Sequence, residues 1–465
     1  MKINFYMNNL IISIKNISVY DLTLLSIAFL MCFDKPMMRL ILLFFSIVGL
    51  FNANYLWFKT KITFYKLFST ILWIIPCLQL IFMSSFQEFW PKLETKLCLL
   101  IFPLIFAISK DNKKNFIIKV LKFFVYGCFL SIFLCFAIVC FKFFVLKSVS
   151  NISYNNLSTF HHPSYYAMYI NFSIGILYFR LLYPVKKYRD SLCILFVIFT
   201  FSCFVILLAS RTGWITNLIT LVLFILFHIK NKSLKRIHVI FGLCMVSCFT
   251  LMSRIPFIEN RTNEVIENTF KSNEVKTLKS DIVDGNTLKS DIVDDNTLKS
   301  ENVDGNALKS NNVDGNALKS NKKSKKTPPS STNVRKLAWK TSLEIINKNL
   351  LFGVGTGNST KILNLAYEIK GYKSLKKKGI NSHNQFIQFQ LDHGLVGSIF
   401  LIFFTLGMLI LSLFEKDYLY ALFLIIIILN FMTESMLETQ SGVVFFSFFN
   451  TLFFYNWVDK KFRTD

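Results

Sequence analysis

The sequence predicts an all-α, polytopic membrane protein of about twelve transmembrane helices. Three observations predict it. Hydrophobic residues make up 53% of the 465 positions, and mean hydropathy is +0.47, more apolar than a soluble domain. Apolar runs near the length of about 20 residues that crosses a bilayer recur along most of the chain. The short gaps between them alternate between rich and poor in Lys and Arg, the pattern of the positive-inside rule. Phenylalanine alone supplies 52 residues, which suits lipid-facing helices better than a single packed core.

Taken in order, the expected spans are 17–33, 37–57, 66–86, 95–109, 117–146, 163–183, 191–209, 212–229, 236–253, 394–414, 417–433 and 441–457. The start of the chain has no cleavage site of small residues, so the first span is expected to stay as an anchor. One alternating set of gaps carries Lys59 and Lys61, then Lys110, Lys113, Lys114 and Lys119. It continues with Lys186, Lys187 and Arg189, then Lys230, Lys232, Lys235 and Arg236, and ends at Lys460, Lys461 and Arg463. That set, with both termini, is expected to be cytoplasmic. The other face then holds the loop around His161-His162, the turn at Ser210-Arg211, the long loop 254–382 and the turn from Glu434 to Gln440. The chain divides into helices one to five (1–160), helices six to nine (161–253), a linker (254–330), a helical loop (331–393) and the last three helices (394–465).

The formal net charge of +25 raises the possibility of a nucleic-acid partner. Its distribution argues against one, because the basic residues sit in short inter-span gaps and form no stripe interleaved with stacking aromatics. The ten cysteines all fall in or beside apolar runs, without metal-ligand spacing to histidine, and read as small buried apolar residues. The linker contains a ten-residue repeat, with units such as DIVDGNTLKS, DIVDDNTLKS and ENVDGNALKS. Asp-Gly and Asn favour turns, and each unit has too few apolar residues to build a core. It reads as a flexible, expandable linker; a calcium-binding β-roll calls for more Gly and acid per turn.

Past the repeat, Asn333 to Leu350 reads as an amphipathic helix ended by Phe352-Gly353, and a second helix is expected to start near Asn381-Ser382. Polar groups gather in the same outer region. Arg211 stands where two spans meet. It can snorkel to lipid phosphates or bind an anionic substrate. Arg335 and Trp339, four apart, share a helix face on which a guanidinium could hold phosphate and an indole could stack on a sugar. The alternative is an ordinary surface helix. Gly353-Val354-Gly355-Thr356-Gly357-Asn358 is not a dinucleotide loop, because no strand–turn–helix unit surrounds it. It reads as a turn closing the helix, whose Gly355 and Gly357 amides could approach a phosphate. His383 is expected in the first turn of the second helix, where the positive helix end favours neutral imidazole, a proton acceptor for a hydroxyl nucleophile. An exposed loop histidine is the other reading, and Asn384 stands beside it. His161, His162, Glu434 and Glu438 match no metal-ligand spacing; sugar-hydroxyl contacts or helix caps are the expectation.

The ordered set Ser210-Arg211-Thr212-Gly213, Arg335-x-x-x-Trp339, Gly353 to Asn358, and His383-Asn384-Gln385-Phe386 running to Gly394-Leu395-Val396-Gly397 resembles the O-antigen ligase and O-antigen polymerase superfamily over about residues 160–455. The repeat is a departure from that family's pattern. The resemblance implies a GT-C-like glycosyltransferase of the bacterial inner membrane, with a large periplasmic loop between helices nine and ten. It implies a glycan donor on undecaprenyl pyrophosphate and an acceptor hydroxyl on lipid A–core, on a second carrier-linked repeat unit, or on a protein. No metal, nucleotide sugar or other cofactor is implied. On this reading His383, Arg211 and Arg335 are the catalytic residues, and Trp339, Asn384, Gly355, Gly357, His161, His162 and Glu434 contact substrate. A transporter or flippase is the competing class, and it predicts midspan charges and internal symmetry.

Overall fold

The computed structural model describes residues 18–33, 35–51, 65–79, 86–108, 114–146, 157–182, 188–230 and 331–462, with isolated positions between 241 and 259. Every regular element among them is helical. In chain order these are α1 (Val19–Leu30), α2 (Lys35–Phe51), α3 (Ile71–Leu78, entered through a 3-10 turn), α4 (Phe86–Lys96), α5 (Cys98–Ile108), α6 (Lys114–Leu146), α7 (Pro163–Leu181), α8 (Tyr188–Leu207) and α9 (Arg211–Lys230). After the linker come α10 (Ser331–Lys348), α11 (Asn358–Ile369), α12 (Lys373–Lys378), α13 (Gln385–Ile402), α14 (Met408–Phe414), α15 (Tyr418–Phe431) and α16 (Gln440–Phe462).

Three stretches are long and apolar enough to cross a membrane: Phe116–Val145, Arg189–Leu207 and Gln385–Phe414. Shorter apolar helices occupy Val19–Leu30, Arg39–Phe51, Tyr65–Leu78, Arg211–Phe227 and Tyr418–Phe431. The expected ninth span and the repeat linker lie outside the described residues, apart from the isolated positions, so the structure does not count the spans.

Local signals place several boundaries. Ser18 caps α1 by accepting from the Asp21 amide at 3.0 Å, the usual role of a short polar residue at an N-terminus. Pro163 opens α7, where its missing N–H is no loss. The second loop helix corrects the sequence reading. It begins at Gln385, and the Asn384 side chain is its cap, accepting from the Phe386 and Ile387 amides at 3.0 and 3.1 Å. His383 therefore precedes the helix, at φ +45°, with its amide donating to Asn381 Oδ1 at 3.0 Å in an Asx turn. Helices α4, α11 and α12 are further additions; their polar sequences gave no apolar run to follow.

The core is aromatic. Phe449 on α16 meets Phe124 of α6 and Phe172 of α7, each at 4.9 Å between ring centroids and close to edge-on. Phe172 also meets Phe423 of α15 at 5.2 Å. The phenylalanines thus divide in a way composition did not foresee. One set fills the interior, while Phe133, Phe141, Phe144 and Phe196 are exposed on α6 and α8, as on a lipid-facing surface.

Helix α13 is interrupted at Gly394, where φ is +63° and ψ −162°. The break releases backbone groups that a neighbouring loop takes up. The Val354 and Gly355 amides donate to the Leu391 and Asp392 carbonyls at 2.8 and 3.0 Å, and the Leu395 and Val396 amides donate to Leu350 and Leu351 at 2.8 and 3.3 Å. The two strands of chain approach so closely that a Cβ on Gly394 would stand 2.2 Å from the Leu351 carbonyl oxygen, and one on Gly353 2.6 Å from that of Leu391. Gln79, just past α3, staples the junction. Its Nε2 donates to the Phe352 and Asp392 carbonyls at 3.0 and 2.9 Å. Its Oε1 accepts from the Thr356 amide and hydroxyl at 3.0 and 2.7 Å.

Candidate functional site

The site is built around one carboxylate. Glu434 lies just past α15, its amide bonded back to the Asn430 carbonyl at 2.9 Å. Its Oε1 accepts from Arg335 Nη2 at 2.8 Å and its Oε2 stands 3.2 Å from His383 Nδ1. The Ser164 hydroxyl reaches Oε1 at 3.5 Å. Three separated stretches of chain, α7, α10 and the turn before α13, thus converge on the segment between α15 and α16. The carboxylate side chain is 10% exposed, and those of Arg335 and His383 are 28% and 30% exposed. The site is therefore partly open to solvent and not a sealed ion pair.

Burial alone would raise the Glu434 pKa. The hydrogen bond from His383 and the charges of Arg335, His383 and His162 outweigh it and hold the carboxyl below its ordinary value. When the imidazole is neutral, an ionised Glu434 facing Nδ1 selects the tautomer that carries its proton there, which leaves Nε2 as a lone-pair acceptor.

The other expected site residues fall into different places. Asn384 is tied at both ends: it caps α13 and its Nδ2 donates to the Met432 carbonyl at 3.1 Å, two residues before Glu434. That positions the site and takes up the amide expected to contact substrate. Arg211 opens α9, half-buried. The following residue, Thr212, pairs its hydroxyl with that of Thr433 at 2.8 Å, so the first turn of α9 docks one residue from Glu434. Trp339 lies one helical turn beyond Arg335, and its buried indole Nε1 has no hydrogen-bond partner among the described residues.

His162 is exposed and caps α7 weakly, accepting from the Ser164 amide at 3.4 Å. For His161 the structure shows contacts at helix ends, the second of the two expectations. This histidine is buried, with Nδ1 at 3.2 Å from the Ser441 hydroxyl and Nε2 at 3.1 Å from the Met31 carbonyl, and both nitrogens are spent on holding helix ends together. The Gly355 amide is likewise taken by Asp392, so it does not face a phosphate. Gly357, at φ +95°, is the N-cap of α11.

Sequence reasoning missed a second charged cluster next to the first. Glu438, in the 3-10 turn Met436–Glu438, binds Lys92 at 2.7 Å and Lys96 at 2.9 Å. Lys96 also lies 3.7 Å from Asp392. Burial would raise the Glu438 pKa, but the two lysines reverse the effect and hold the carboxyl well below the usual range. Burial would lower that of Lys92, and Glu438 and Asp392 raise it instead. A signal for this cluster existed: Lys92 stands in a gap that the parity assigns to the face poor in Lys and Arg, and Lys96, four residues on, falls inside an expected span.

Residues 195–402 match the family model described as O-Antigen ligase. Arg211, Arg335, Trp339 and His383 fall inside the matched segment, while Glu434 falls beyond it. No curated protein matches the chain.

Proposed function

We propose that this chain, whose residues 195–402 belong to the O-antigen ligase superfamily, moves a glycan from undecaprenyl pyrophosphate to an acceptor hydroxyl on the periplasmic face of a bacterial inner membrane, with lipid A–core as acceptor. The observation that carries the reading is the His383–Glu434–Arg335 arrangement. Glu434 orients His383, whose Nε2 takes the proton of the acceptor hydroxyl as that oxygen bonds to the anomeric carbon. The bond from that carbon to pyrophosphate breaks, and the electron pair leaves on the carrier. Arg335 offers the guanidinium donors that Glu434 does not use to the developing charge, and Arg211, one residue from the Thr212–Thr433 bond, supplies a second cation. Two fixed cations supply the charge stabilisation that a divalent metal gives in other phosphate chemistry. Trp339, with an unpartnered N–H and an aromatic face on the same side as Arg335, suits a sugar ring that also accepts a hydrogen bond.

The test is transfer of a lipid-linked glycan by the purified full chain in nanodiscs, with His383→Ala, Arg335→Ala and Arg211→Ala compared against wild type. Retention of full transfer by all three variants would sink the assignment. A deletion strain separates two acceptors: bare lipid A–core marks a ligase, and core carrying single repeat units marks a polymerase.

A further inference from the structure

Helices α4, α11 and α12 border a cavity of about 520 Å³, within the range of roughly 300–1,000 Å³ for small-ligand sites. Gly357, Lys361 and Asn364 line it from α11, with Lys92, Glu368 and Lys376 around them. Lys361 and Asn364, three apart, fall on one face of α11, and Gly357 caps its start. Three of these six residues are lysines and one carries a carboxylate. Glu368 is spent on Lys376, at 2.5 Å. Lys92 is shared with Glu438, and Lys361 makes no ion pair among the described residues. The α11 N-terminus adds to the positive potential: its cap is a glycine with no side-chain acceptor for the first-turn amides.

A second, independent feature narrows the ligand. Asn364 Oδ1 is buried and has no hydrogen-bond partner among the described residues. The Asn364 residue lines the same cavity, and a buried acceptor calls for a donor. A bare phosphate or carboxylate is almost wholly an acceptor and cannot serve it. A sugar hydroxyl can.

We propose that this cavity is a binding subsite for an acidic saccharide, a sugar carrying a carboxylate or a phosphate, within the glycan handled at Glu434. The anion meets Lys361, Lys376 and the α11 N-terminus, and a ring hydroxyl donates to Asn364. The inference rests on the glycosyl-transfer reading. Lys92 links the two places, since it lines the cavity and grips Glu438, four residues from Glu434.

The test titrates glucuronate, glucose 1-phosphate, glucose and inorganic phosphate against the full chain in neutral-lipid nanodiscs, read by calorimetry. The expectation is that the two acidic sugars bind at least about tenfold more tightly than glucose or phosphate alone, with affinity falling as salt rises. Lys361→Glu/Lys376→Glu, two exposed positions, should lose at least about tenfold for the acidic sugars with an unchanged melting profile. Lys361→Gln/Lys376→Gln serves if the charge reversal disturbs folding. Equal binding of glucose, phosphate binding as tight as that of the sugar phosphate, or binding unchanged in both lysine variants overturns the proposal. So does complete displacement of the acidic sugars by phosphatidic acid in the disc, which would make the site one for a lipid headgroup. His383→Ala should bind the acidic sugars as wild type does, so a failed transfer assay and a failed subsite give different results.

Discussion

Replacing Glu434 with glutamine preserves shape and removes charge, and the outcome follows from which atoms donate. The carboxylate accepts on both oxygens, from Arg335 on one side and toward His383 Nδ1 on the other. An amide has one acceptor and one donor end. Arg335 can only donate, so it claims the amide oxygen and turns the NH₂ toward His383. The imidazole must then present a lone pair at Nδ1 and carry its proton on Nε2, the tautomer that cannot accept from a hydroxyl. General-base help of about 10²–10⁴ in rate is then lost, on the order of 3–5 kcal/mol of barrier. Stability should change much less, by about 1 kcal/mol, because the site is partly open to solvent and each polar group keeps a partner. The assay is single-turnover transfer from a lipid-linked donor, alongside thermal unfolding of the same preparations. Glu434→Gln turning over within about threefold of wild type, where a loss of at least about a hundredfold is expected, would falsify the orienting role.

Four further outcomes are expected. Gly394→Ala should abolish accumulation of folded protein, since its side chain meets the Leu351 carbonyl at 2.2 Å at a positive φ, whereas Gly371→Ala, with open space around it, should lower stability by only about 1 kcal/mol; fluorescence-detected size exclusion compares the two. Lys96→Met should destabilise by about 3–5 kcal/mol by leaving Glu438 and Asp392 short of a buried cation, and the double variant Lys96→Met/Glu438→Gln should recover part of that in chemical unfolding. Because the Glu434 pKa is depressed in the folded chain, its contribution is present above the unfolded value of about 4.5 and is lost as pH falls through the lower folded value; acid titration of stability should show no Glu434-dependent loss between pH 7 and 5 and a loss below that window, absent in Glu434→Gln. Removing the repeat units 281–320 should leave transfer unchanged in the nanodisc assay.

Much of the helical framework was legible because apolar runs of bilayer length announce themselves, and α6, α8 and α15 fall where the hydropathy places them. Arg335 and Trp339 were legible for a related reason, since a spacing of four fixes a shared face whatever the tertiary context. The pairing of Glu434 with Arg335 and His383 was not, because nothing local in a sequence states which of several polar turns meet. The helix start was placed two or three residues early: Asn381-Ser382 was the expected start, whereas Asn384 is the cap and its amide is held by the Met432 carbonyl. His161, beside another histidine at a span edge, was open to either a sugar-hydroxyl contact or a helix cap. Two tertiary partners, Ser441 and Met31, make it a fastener. Lys92 breaks the charge pattern of its face and Lys96 charges the start of an expected span, and those anomalies were the readable trace of a buried cluster.

The interrupted helix has a consequence for how this chain can vary. The four backbone bonds between 350–355 and 391–396 tie the chain just past α10 to the middle of α13, and Glu434 holds Arg335 and His383 at one carboxylate. The tandem decamer ends just before α10. Units can therefore be gained or lost at that point, as replication slippage does with tandem sequence, without moving either side chain relative to the other. Length polymorphism among alleles is expected to gather there and to stop at the first turn of α10.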